Sequence, residues 1–150
     1  MKVLVAYDGS LDSKAALKYG IKRVREIPGE LIALHVFPSH RFIDYGAGPR
    51  AEERARRDAF RHLDEAREFI QACGKGIKAS VVFTEGQARK EILGHAKQEN
   101  VDLIVVPPSL DSLLDAACCL VDVVSADEEA TAAQPATLLN NPGGPVESRA

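Results

Sequence analysis

Cysteine is scarce in this 150-residue chain: three residues, an odd number, with an adjacent pair at Cys118 and Cys119 and no C-x-x-C spacing. That pattern excludes a disulfide framework and points to a reducing compartment, with the cytosol as the expected location. Long apolar runs are missing as well. None approaches the roughly 18 residues of a membrane span, and the amino-terminal run at 3–6 is interrupted by Asp8 too early for a signal peptide. The histidines (His35, His40, His62, His95) and cysteines lack metal-ligand spacing and read as surface or packed residues, so no metal is expected. Basic residues form no patch interleaved with aromatics, a poor nucleic-acid footprint, and neither nucleic acid nor membrane is an expected partner. The formal net charge of −3 hides an asymmetry: from Pro107 onward seven acids face one base, which leaves residues 1–106 at +3.

What the chain has is ordinary globular composition, 45% hydrophobic and 27% charged, enough for one core. Two periodicities alternate along it. Residues 2–7, KVLVAY, are a β-branched run that stops at Asp8 and Gly9, and Ser10 then stands before a helix expected over about 11–26, with Leu17, Ile21 and Val24 on one face. A second strand, LIALHVF at 31–37, is followed by a loop opened by Pro38, and a helix from Ala51 to Cys73 carries the stripe Ala59, Leu63, Ala66, Ile70 and Cys73. IKASVVF at 77–83 reads as a third strand. Ala88, Ile92 and Ala96 mark a third helix closed at Asn100, and 101–106 is a fourth strand.

Strand and helix in strict alternation predict an α/β domain: an open, mostly parallel four- to five-stranded sheet with helices on both faces. Ligands of such a fold lie at the carboxyl ends of the strands, near the point where strand order reverses. The sharpest motif there is AYDGSLDSKAAL at 6–17. It sets a carboxylate beside a helix start, where ribose hydroxyls and anions are commonly held. The same residues are also what any competent turn and helix cap would use, so local chemistry leaves both readings open.

The chain resembles the universal stress proteins, small α/β domains of the adenine-nucleotide α-hydrolase-like superfamily. The likeness is carried by VLVAYDGSLDSKAAL at 3–17, LIALHVF at 31–37, TEGQARKEILGHAKQENVDLIVV at 84–106 and the long loop before the second helix. It implies a five-stranded parallel sheet, cytoplasmic location, homodimerisation through a carboxy-terminal edge strand, and a role in stress survival, with ATP bound by some members and not by others. By the same resemblance, adenosine would be held by Asp8, by Ala6 two residues before it, by main chain at Val36, and on the side of Val106 at the end of strand four. The triphosphate loop of ATP-binding members follows strand four with the pattern G-x2-G-x9-G-[ST]. Aligned without gaps, this chain has Pro107, Leu110, Leu120 and Val121 at those positions.

Physical chemistry points the same way as that mismatch. A phosphate cradle is built from convergent backbone amides, with glycines permitting close approach. Pro107 and Pro108 have no amide hydrogen, and no glycine lies between Gly94 and Gly143. Losing two charge-assisted hydrogen bonds costs on the order of 3–6 kcal/mol, enough to turn a micromolar site into roughly a millimolar one. The expectation is a stress-response domain acting through protein contacts as a homodimer, with no cofactor required and ATP with magnesium at most a weak ligand. The alternative is a nucleotide-dependent switch.

No nucleophile and base are paired in the sequence, and the chain is not expected to be an enzyme. GSLDS at 9–13 resembles the loop of ATP pyrophosphatases but lacks its second adjacent glycine. Residues 113–124, LLDAACCLVDVV, fit a helix through Leu113, Ala117, Leu120 and Val124, preferred over a short helix turning into a strand at 120–124. On that helix face Cys118 and Cys119 read as core filler rather than redox groups. A last strand is expected at 136–139, ATLL, in a single domain spanning 1–139 that diverges from the family pattern after 106. Residues 140–150 are expected to be a disordered tail.

Overall fold

The computed structural model describes residues 1–39, 41 and 48–126. Among the described residues, five strands form one sheet in the order β3-β2-β1-β4-β5, with every pairing parallel. The elements in chain order are β1 (Lys2–Ala6), α1 (Leu11–Glu26), β2 (Glu30–Phe37), α2 (Pro49–Cys73), β3 (Lys78–Glu85), α3 (Ala88–Gln98), β4 (Leu103–Val106), a 3-10 helix (Pro108–Leu114) and β5 (Leu120–Val123). Strand order reverses between β1 and β4, which places the switch point beside the AYDGS turn.

Side-chain alternation divides the core in two. Val3, Val5, Leu31, Ala33, Leu103 and Val105 face α1 and α2, while Leu4, Ile32, Leu34, Ile104 and Val106 face α3 and the 3-10 helix. Both sets are buried, so the central strands read as unbroken apolar runs. Helix α1 starts as its sequence demands: the Ser10 hydroxyl accepts from the Ser13 amide at 3.1 Å. Helix α3 ends at a left-handed Asn100 (φ 54°), a conformation asparagine tolerates.

Past β4 the favoured reading of the sequence is corrected. Residues 113–124 do not form a helix; the 3-10 helix stops at Leu114 and 120–123 pair with 103–106 as β5. The stripe Leu113, Ala117, Leu120, Val124 is compatible with a helix, but Val121 and Val123 pack on one sheet face while Asp122 and Val124 meet the other, a period of two. The unpaired edge of β4 supplies the hydrogen bonds that decide it. The strand expected at 136–139 and the tail at 140–150 lie outside the described residues. No helix among the described residues is long and apolar enough to cross a membrane.

Candidate functional site

A cleft of about 650 Å³ opens at the carboxyl ends of β1, β2 and β4. Its size suits a nucleoside-sized ligand. Three of the residues singled out from the sequence line it: Ala6, Asp8 and Val36. Val106 stands behind the wall. It is fully buried, and its carbonyl accepts from the Val124 amide at 2.9 Å, so Pro107 takes its place at the surface of the cleft.

Asp8 is held by the turn that follows it. Its Oδ1 accepts from the Ser10 amide at 2.9 Å. Partial burial pushes its carboxyl upward, but hydrogen bonds from Ser10 and Ser13 and the nearby His35 outweigh that, and its pKa falls below the ordinary value. The carboxylate is therefore ionised and available as an acceptor. Gly9 makes the turn possible with φ +86°, and a Cβ there would lie 2.3 Å from Nδ1 of His62.

Folding also brings in residues that the sequence reading did not select: Tyr7, His35, His62, Arg41 and Arg89. The buried His35 ring sits 2.9 Å, through Nδ1, from the Tyr7 carbonyl. A carbonyl only accepts, so Nδ1 carries the proton. Burial drives the His35 pKa down, His62 adds to this, and the Tyr7 carbonyl and Asp8 only partly oppose it. His62, from α2, contacts Glu65 through Nδ1 at 3.0 Å, and its ring centroid lies 6.2 Å from that of His35. Behind these rings, Phe83 stacks against His35, Phe37 and Phe60 at 5.2–6.2 Å. Arg56 lies 4.6 Å over the Phe37 ring while its two terminal nitrogens each donate to Glu85 at 3.0 Å. Among the described residues, no group of three or more histidine, cysteine or acidic side chains is arranged to hold a metal.

The turn leaving β4 offers few backbone donors to the cleft. Pro107 (φ −72°, ψ 165°) and Pro108 donate nothing, and the Leu110 amide is already donated to the Pro107 carbonyl at 3.0 Å. Ser109 is the remaining donor of the turn that lines the cleft. Cationic groups come from elsewhere, from Arg89 in the first turn of α3 and from Arg41. Sequence offered one usable signal for these residues: His35 lies in the same strand as Val36. Arg41 follows the end of β2 closely, whereas His62 and Arg89 belong to distant segments that only the crossovers bring to the cleft.

An open parallel α/β sheet with a nucleoside-sized cleft at its switch point is the architecture on which nucleotide-binding domains are commonly built. The sequence model of the Universal stress protein family matches residues 1–115. The chain is also 33% identical over 121 residues to universal stress protein YxiE of Bacillus subtilis, covering 70% of this chain and 76% of that one. The protein belongs to the universal stress protein family. Among solved structures, universal stress protein UspA from Lactobacillus plantarum superposes with a TM-score of 0.70 at 18% identity, over 83% of this chain and 97% of that one. A universal stress protein family member from Arabidopsis thaliana with AMP bound gives a TM-score of 0.63 at 19% identity, over 85% and 94% of the two chains.

Proposed function

We propose that this chain is a non-catalytic, cytoplasmic stress-response domain that acts through protein contacts, self-association included, and that its cleft does not hold a nucleoside triphosphate tightly. The observation that carries the second half is the turn at 107–110, where two positions lack an N–H and a third spends its own within the turn. Triphosphate binding needs several convergent donors, and each missing charge-assisted bond weakens it by about 1.5–3 kcal/mol. Support for protein contacts comes from β5, which among the described residues has no strand on its outer side and whose first residue, Leu120, is 68% exposed. An exposed leucine at such a position is suited to pairing with another chain.

A second reading, an adenine-nucleotide switch, is favoured by one specific feature. Asp8, Arg41 and Arg89 line the same cleft and provide an acceptor for a sugar hydroxyl and cations for a single anionic group. The Arabidopsis relative carries AMP. Calorimetric titration of the purified protein with Mg-ATP, AMP and adenosine separates the two. The protein-contact reading expects Mg-ATP to bind no more tightly than about millimolar and no better than AMP; micromolar Mg-ATP binding overturns it in favour of the switch.

A further inference from the structure

Cys118 and Cys119 occupy a bend between the 3-10 helix and β5, and Leu120, the first residue of β5, follows directly. The helix face on which they read as core filler does not exist in the fold, although Cys119 still packs against the core cluster that holds Ile104 and Val106. Cys118 is exposed and Cys119 half-buried, and both are free thiols. They open onto a second cavity of about 490 Å³, whose wall also includes Leu93, Ala96, Ile104 and Lys97. This cavity is lined by a different set of residues from the cleft at the strand ends.

We propose that Cys118 and Cys119 are a thiol modification site, closing reversibly to a vicinal disulfide when they meet a small-molecule disulfide. Geometry supports both halves of that statement. The thiols are adjacent, so no distant segment has to move to bring them together, and a bend, unlike a helix or a strand, leaves the backbone free to make the local adjustment that closure requires. Consecutive Cα atoms are about 3.8 Å apart, whereas unstrained disulfides span roughly 4.4–6.8 Å. The closed ring is therefore strained. Strained disulfides have the more oxidising potentials and are the readily reduced, regulatory ones. A reducing cytosol would keep the pair open, and oxidising stress would close it.

The two cysteines have distinct parts in the chemistry. Exposed Cys118 attacks first: its thiolate bonds to one sulfur of the small disulfide and expels the other half as a thiolate. Cys119 then attacks the Cys118 sulfur and expels the second half. One disulfide bond breaks and one forms, and two electrons and two protons pass from the cysteines to the oxidant, which leaves as two small thiols. Burial raises the Cys119 thiol above its ordinary pKa, with Cys118 and Asp102 adding to the effect, which fits a slower, resolving role. Lys97 in the cavity wall gives an anionic small disulfide a reason to enter. The consequence falls on the sheet edge, because ring closure reshapes the backbone immediately before the Leu120–Leu103 pair that begins the β4–β5 ladder.

The test treats the full chain with glutathione disulfide and maps the product by non-reducing peptide mass spectrometry. The expected product is a loss of about 2 Da in the peptide holding both Cys118 and Cys119, reversed by a thiol reductant. Cys119→Ser should stop at a glutathione adduct on Cys118. Amide exchange at 120–123 should speed up in the oxidised wild type and return on reduction. The proposal is overturned if wild-type protein accumulates only the glutathione adduct, or if its disulfides join Cys73 or a second chain instead. Circular dichroism of the variant, and the wild-type result alone, keep the outcome independent of any folding defect.

Discussion

The Tyr19 hydroxyl donates a 2.6 Å hydrogen bond to Oδ2 of Asp122, joining the middle of α1 to the edge strand β5. A second tie lies beyond the strand, where the Ala126 amide donates to Asp12 Oδ1 at 2.9 Å. Both bonds bridge more than a hundred residues of sequence and hold β5, which among the described residues is one of the two strands, with β3, paired on a single side.

Tyr19→Phe keeps the ring and removes the donor, leaving the Asp122 carboxylate without it. The expected loss is about 1–2 kcal/mol in urea unfolding, with faster amide exchange concentrated in 120–123. Burial, then the Asp122 hydrogen bond, raises the Tyr19 phenol to about 12, and burial with the Glu65 and Asp8 charges raises Tyr7 to about 12. Stability from both groups is whole below pH 10.0 and disappears as pH climbs through about 12. The Phe variant should show a shallower alkaline limb; an unchanged one refutes the assignment.

At the acid end two groups act in sequence. His35 has a folded pKa below its ordinary 6.5, because burial disfavours the cation, so the unfolded chain takes up a proton first and stability begins to fall as pH drops below 6.5. Asp8, also lowered, supports the fold above 3.8 and gives up that support as pH falls through its folded value. His35→Gln should flatten the stability curve just below pH 6.5, and Asp8→Asn should flatten it only below about 4. Chemical denaturation across a pH series resolves the two segments.

Gly9→Ala places a methyl group against His62 on a backbone at φ +86°. The expected cost is about 1–3 kcal/mol from the left-handed conformation and the displaced imidazole. Thermal unfolding measures the first effect. Histidine proton resonances report the second, as a break in the His62–Glu65 contact.

Replacing Pro107 and Pro108 together by glycine restores two amide donors beside the cleft. Mg-ATP affinity should rise on the order of tenfold or more, with a small loss of stability from the freed unfolded chain. Calorimetry that shows no gain would mean that the turn is not what limits triphosphate binding.

The legible parts of this protein are those governed by neighbours in sequence. Short β-branched apolar runs marked β1 to β4, and period-3.6 patterns the three α-helices, because both signals are local in sequence. The Asp8-Gly9-Ser10 turn and its cap were legible for the same reason, since the hydrogen bonds that set them join near neighbours: Ser10 to Asp8 and Ser13 to Ser10.

Tertiary structure alone decided the rest. Residues 120–123 carry a pattern that suits either a helix or a strand, and the choice went to the strand because β4 offered unpaired backbone groups and Tyr19 a partner for Asp122. His62 and Arg89 were unreadable from their own surroundings, because they reach the cleft only after the crossovers fold the chain over one sheet. Local periodicity fixes which way a side chain points along its own element. Which distant side chain it meets is set by the long-range packing and hydrogen bonding of the whole sheet.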